Sequence, residues 1–241
     1  MYILKILTIF LLISSLNISI ANTQSIELRE SLKNTKAFYK EGKLKEAINE
    51  TFKAIKLSKI DFGQEHYYTA TLIENLGIIQ YESLMYKDAE ISFQEVLSIR
   101  KKILKEDHTD IAEALNFIAL SNRKLQQYDT ALNYHNEALL IMSRAIAKSN
   151  PRAINEKNRK GAIFRASAMH TKALIEIKNK NIDYAIGLLK TSSKIFYNSL
   201  GKDKNQLIET YKELITQALN TNDIELANTT KKKLNKLYKS I

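Results

Sequence analysis

A chain of 241 residues, 44% of them apolar and 26% charged, has enough hydrophobic material for a packed core, while 6 Gly and 1 Pro are too few for a turn-rich sandwich or barrel. Zero Cys excludes a disulfide scaffold, cysteine-ligated zinc, a thiol nucleophile and a lipidated N-terminal cysteine. The net charge of +11 is unevenly spread: residues 1–151 hold 19 basic and 18 acidic side chains, residues 152–241 hold 18 and 8. A basic last third suits an acidic partner, an anionic membrane surface or nucleic acid.

The chain opens with one early lysine, Lys5, then an apolar run from Ile6 to Ile13 and a more polar stretch ending Ser19-Ile20-Ala21. Small residues at Ser19 and Ala21 fit a signal peptidase site, so the expected mature chain begins at Asn22 and is exported to a periplasm or secreted. Ser14, Ser15, Asn17 and Ser19 interrupt the apolar run short of the roughly 20 residues that a spanning helix needs. No stable membrane span is expected after cleavage.

From there a repeat governs the sequence. Ala47, Ala89, Ala131, Ala185 and Ala227 are spaced 42, 42, 54 and 42 residues apart. Three positions before each stands Leu44, Tyr86, Tyr128, Ile182 or Ile224, and ten after it Leu57, Ile99, Ile141, Ile195 or Leu237. Within one period, Ile73, Leu76, Gly77, Gln80, Tyr81 and Leu84 mark a face of a first helix, and Ala89, Phe93, Val96, Leu97 and Ile99 the inner face of a second. Gly77, Ala119 and Ala173, twelve before the alanines, are small enough to let two helices approach closely. One hairpin cannot cover its own apolar face, so neighbours must stack. The predicted fold is all-α, a right-handed α-solenoid of about five antiparallel helix-turn-helix repeats at 28–61, 70–103, 112–145, 166–199 and 208–241.

These residues resemble the tetratricopeptide repeat, and the 42-residue period is similar to its kinesin-light-chain-like variant. The segment Leu97 to Asn116, with His108 in its connector, follows that variant closely; Phe62-Gly63-Gln64-Glu65-His66 and Leu200-Gly201-Lys202-Asp203-Lys204 are further matches. Bulky Ile215 departs from the pattern in the fifth repeat.

The insertion, about 148–160, contains the only proline, Pro151. The residue before a proline is pushed out of helical geometry, so the third repeat's second helix should end near Ala147, and residues 152–178 can form one lengthened first helix.

No catalytic or metal constellation emerges. His66 and His108 lie one period apart at equivalent connector positions, His135 and His170 have no partner at zinc-ligand spacing, and no nucleophile-elbow, metalloprotease or phosphate-loop motif occurs. The carboxylate pairs Glu46/Glu50 and Glu90/Glu95 fall on faces that read as solvated. No enzyme activity and no cofactor is expected.

The resemblance implies instead that first-helix residues line a concave groove holding a peptide segment of another protein. The matching positions are Glu74, Asn75 and Asn116, with Lys36, Ile78, Leu120, Arg123, His170 and Leu174 as further inward-facing residues. An amide offers both donor and acceptor to a peptide backbone, and Arg123 and His170 would favour an acidic neighbour. The alternative is an anionic-surface or nucleic-acid binder using the basic last third. Aromatic residues for base stacking are sparse there, and Tyr184 and Phe196 occupy positions expected inside, so nucleic acid is not the expected partner. The lysine-rich run Thr230 to Lys239 reads as a capping helix, with Leu234, Leu237 and Tyr238 opposite the lysines.

Overall fold

The computed structural model describes residues 24–148, 151–199 and 205–239. The expected processing site, the pair Ser149-Asn150 and the connector at 200–204 lie outside them. Ten α-helices and no strand occur among the described residues. Two compact units divide the chain, residues 1–125 and 126–241.

The first unit contains α1 (Ile26–Lys40), α2 (Leu44–Asp61), α3 (Tyr67–Glu82), α4 (Tyr86–Ile103) and α5 (Thr109–Lys124). Each helix packs on the next. Its core runs from Leu28 and Tyr39 through Ala47, Ile55, Leu72 and Leu76 to Val96 and Ala114. The second unit contains α6 (Tyr128–Ala147), α7 (Pro151–Lys178), α8 (Ile182–Ser199), α9 (Asn205–Asn220) and α10 (Ile224–Tyr238), again packed in sequence. Its core includes, among the described residues, one cluster with Ala173, Ala185, Leu189 and Leu214 and another with Ala166, Phe196, Leu207, Leu234 and Leu237. From Pro151 onward the insertion is taken up as helix, since α7 extends over 28 residues.

All five alanines of the repeat are buried, with Ala47, Ala89, Ala131 and Ala185 fully enclosed. Gly77 shows why a small residue stands opposite: a Cβ there would lie 2.7 Å from Phe93 Cε1. Phe93 is itself 1% exposed and stacked on Phe117 at 4.8 Å, so α3 and α4 close only because Gly77 has no side chain.

The hairpin turns share a backbone device. Gly42, Leu84, Gln126, Lys180 and Asn222 follow the alanine spacing, and all have left-handed backbone, with φ of 73°, 64°, 61°, 65° and 58°. The next N–H reverses the chain by reaching back to the helix: Lys43 to Phe38 O at 2.9 Å, Met85 to Gln80 O at 2.9 Å, Asn181 to Glu176 O and Asp223 to Ala218 O at 2.8 Å. That bond satisfies a carbonyl orphaned at the helix end. Only the first turn uses the glycine that this conformation favours. Leu84, expected on the inner face of α3, is this turn residue and is exposed.

Side-chain caps start α1, α3, α5 and α10, whereas α2, α4 and α6 begin without one. Ser25 Oγ accepts from Leu28 N–H, and Asp223 Oδ1 from Leu226 N–H at 3.0 Å. The connector histidines act in the same way: His66 Nδ1 accepts from Tyr68 N–H and His108 Nδ1 from Asp110 N–H, each at 3.2 Å. Their shared register is a helix start, and the side chain supplies the acceptor that the first turn lacks.

Three inward or outward assignments need correction. Tyr184, expected inside, is 51% exposed, with Lys172 Nζ 5.3 Å from its ring centre; its register holds exposed Glu46, Asp88 and Thr130 in the first three repeats, while Leu226 in the fifth is half-buried. Glu90, expected on a solvated face, is buried, and its carboxylate accepts from Asn122 Nδ2 and Gln94 Nε2 and pairs with Lys87. Tyr238 is exposed, whereas Leu234 and Leu237 pack inward.

Candidate functional site

The proposed groove residues fall into two registers of the first helices, with Asn75 and Arg123 beside them. Glu74, Asn116 and His170 occupy one register; Lys36, Ile78, Leu120 and Leu174 stand four residues on, one turn further along the same face. The first-helix faces of the first unit are held side by side: Tyr39 Oη donates to Glu82 from α1 to α3, and Tyr67 Oη donates to Asp110 Oδ2 at 2.6 Å from α3 to α5. Burial, followed by the Asp110 hydrogen bond, pushes the Tyr67 phenol well above the ordinary tyrosine range.

Along that paired face Lys36, Asn75 and Ile78 are half-buried, Leu120 is nearly covered, and Asn116 and Arg123 are buried. In the second unit Leu174 is half-buried and His170 is buried. The face therefore offers an apolar strip, Ile78 and Leu120, bordered by the amide of Asn75 and by Lys36.

Glu74, Asn116 and His170 are all enclosed, whereas their register holds half-buried Leu32 in the first repeat and exposed Lys212 in the fifth. Glu74 is met by Arg100 from α4, whose Nη1 and Nη2 donate to Oε1 at 2.7 Å and Oε2 at 2.9 Å. Nη1 of Arg100 also donates to Asp110 O at 3.0 Å, which ties the pair to the start of α5. Burial raises the Glu74 carboxyl against the opposing pull of Arg100. Desolvation also works against the charge on Arg100, but the carboxylate outweighs it and the guanidinium stays charged. Glu74 thus faces a partner within its own repeat. His170 Nδ1 lies 2.9 Å from Thr210 Oγ1 in α9. Neither His170 nor Arg123 is a surface group able to choose an acidic neighbour directly.

Asn116 differs from both. Its side chain is 5% exposed, and its Oδ1 accepts no hydrogen bond among the described residues. Buried polar atoms without a partner are rare in folded proteins and cost free energy. Turning this amide outward breaks no bond at its oxygen, which leaves Asn116 free to serve a ligand in a way that Glu74 is not.

Sequence reading did not single out Arg100. Its register holds Ser58, Met142 and Phe196 in three other repeats, all buried, and exposed Tyr238 in the last, so the register points inward in every repeat but the last. Among the described residues no cluster of three or more His, Asp or Glu side chains is placed to hold a metal, and no helix is long and apolar enough to cross a membrane.

Comparison with known proteins agrees with this geometry. Residues 68–144 match the tetratricopeptide repeat family model. Among solved structures, the putative kinesin light chain of Podosopora anserina, with nearly identical TPR-like repeats, aligns with a TM-score of 0.57 at 13% identity, covering 87% of this chain and 93% of that one. The apo form of RapI aligns at 0.58 and 14% identity, covering 91% and 86%; MamA from Desulfovibrio magneticus RS-1 aligns at 0.53 and 14%, covering 90% and 98%. At these identities the likeness is one of fold. No curated protein matches the sequence.

Proposed function

We propose that this array of tetratricopeptide repeats is a non-catalytic protein-interaction scaffold, and that the first-helix face of α3 and α5 holds an extended segment of another protein. Ile78 and Leu120 supply apolar contact; Asn75 and Asn116 supply amides for the partner's backbone. The observation that carries the proposal is the enclosed Asn116 amide, whose oxygen has no partner among the described residues. A bound peptide N–H along this face would satisfy it once the side chain turns outward. The positive charge of residues 152–241 would speed encounter with an acidic partner.

The test is affinity capture from the source organism with the wild-type chain, the Asn75→Ala/Asn116→Ala double variant and Lys101→Ala as a control on α4. Loss of the captured protein with the double variant alone supports the site. Equal capture by a folded double variant refutes it.

The same reading includes export, with the mature chain beginning at Asn22. N-terminal sequencing of the native protein decides this, and an intact Met1 on cytosolic material would end it.

A further inference from the structure

Lysines divide into paired and unpaired ones. In the first unit Lys43 pairs with Glu41 at 2.8 Å, Lys53 with Glu50 at 3.5 Å, Lys59 with Glu95 at 3.0 Å, Lys87 with Glu90 at 2.7 Å, and Lys102 with Glu65, while Lys33, Lys40, Lys45, Lys56 and Lys105 are exposed without a carboxylate partner among the described residues. In the second, Lys190, Lys194, Lys232, Lys236 and Lys239 are exposed and none has a carboxylate partner among the described residues.

Repeat register brings these lysines together. Lys190 and Lys194 stand at i and i+4 on α8; Lys232 and Lys236 occupy the same two positions one 42-residue period later on α10. Residues four apart share a helix face. On α8 the outer stripe runs Asp183, Gly187, Lys190, Lys194, Tyr197, and on α10 it runs Glu225, Thr229, Lys232, Lys236, Lys239; all ten are exposed. The buried sides of both helices meet in one cluster through Phe196, Leu234 and Leu237, so the stripes lie on neighbouring helices. The carboxylates, Asp183 and Glu225, sit at the helix starts, which leaves no acidic residue in the C-terminal half of either stripe. Tyr197 is 68% exposed within this basic half.

We propose that the outer faces of α8 and α10 form a docking surface for an anionic lipid bilayer. A capping role explains why lysines face outward, but not why a pair recurs at the same two positions of α8 and α10, where α2 holds Phe52 and Lys56 and α4 holds Gln94 and Ser98. Lysine carries a compact, strongly hydrated charge without the planar fork that reads a phosphodiester or carboxylate in a fixed geometry, so a lysine array suits a diffuse negative surface. The lysines span two adjacent helices as a broad face, not a groove tracking one strand. An exposed tyrosine among them has the amphipathic ring that favours the headgroup zone. Attraction of this kind gains with each lysine near the surface.

The described core residues of both units lie between Leu28 and Leu237. The test uses the chain beginning at Asn22, so that the apolar N-terminus does not mask a charge effect. Sedimentation is compared for phosphatidylglycerol-containing and pure phosphatidylcholine vesicles. The expected result is binding to the anionic vesicles alone, weakening as salt rises. Replacing Lys190, Lys194, Lys232 and Lys236 together by Gln should lower that binding about tenfold or more, while Gln at Lys43, Lys53, Lys59 and Lys102 leaves it near the wild-type level. Thermal melts read by circular dichroism establish that both variants are folded. Equal binding to neutral vesicles, equal losses in the two variants, or capture of single-stranded DNA or polyglutamate but not vesicles would each overturn the proposal. If the first variant melts early, the salt dependence of the wild-type chain and the single Lys232→Glu variant give the same discrimination.

Discussion

Gly77 and Phe93 are in contact without a side chain on one partner: a Cβ added to Gly77 would meet three atoms of the Phe93 ring at 2.7, 2.9 and 3.0 Å. Helix propensity alone favours Gly77→Ala by about 1 kcal/mol, but overpacking an enclosed crossing costs roughly 1 to 3 kcal/mol. The stack on Phe117 blocks the easy escape of the ring. We expect Gly77→Ala to lower stability by about 1 kcal/mol net, read from the urea midpoint, and Phe93→Leu to relieve part of that loss in a double-mutant cycle.

Leu84 should respond in the opposite direction. It is exposed, has a φ of 64° and occupies the turn position that Gly42 occupies in the first repeat. Left-handed backbone costs a non-glycine residue about 1 to 2 kcal/mol, partly offset by the extra freedom glycine gives the unfolded chain. Leu84→Gly should therefore raise the stability by about 0.5 to 1 kcal/mol, and differential scanning calorimetry should record a higher Tm.

These two positions show what was legible in the sequence. The alanine spacing and small residues revealed the hairpins because packing constrains side-chain size, and size is written in the sequence. The left-handed turns were not legible, since Leu84, Gln126, Lys180 and Asn222 have no common chemistry; the constraint acts on the backbone through bonds such as Met85 N–H to Gln80 O. At the candidate site, repeat register located Asn75, Ile78, Asn116 and Leu120 on first helices. It did not reveal that Glu74 is taken by Arg100, because that pairing depends on which charge the second helix happens to place opposite.

The Glu74 and Arg100 pair gives a third prediction. Glu74→Leu should leave the Arg100 guanidinium buried without its carboxylate, at a cost of roughly 3 to 5 kcal/mol. Glu74→Leu combined with Arg100→Met should recover most of that loss, because it removes both charges and keeps apolar volume. Chemical denaturation of the two singles and the double measures it; a double variant as weak as the singles would contradict it.

Alkaline pH supplies a fourth. Burial raises the phenols of Tyr67, Tyr68 and Tyr211 above the ordinary value of 10.0. The folded chain thus holds the proton more tightly than the unfolded one. That contribution is complete below the unfolded value and is lost as pH rises from there through the folded value. Stability should fall above pH 10.0, and Tyr67→Phe should make the decline shallower, while costing about 1 kcal/mol at neutral pH through the lost bond to Asp110.

The account rests most heavily on the first-helix face of α3 and α5 as the place where a partner chain lies. The direct measurement is the dissociation constant of the captured partner for the wild-type chain, Asn75→Ala/Asn116→Ala and Lys101→Ala, with folding checked by thermal melts. Two amides making a hydrogen bond or two each to a peptide backbone contribute about 2 to 3 kcal/mol. The double variant should therefore bind roughly 30- to 150-fold more weakly, with Lys101→Ala unchanged. A folded double variant that binds as tightly as the wild-type chain would contradict the claim and move the interaction to another face.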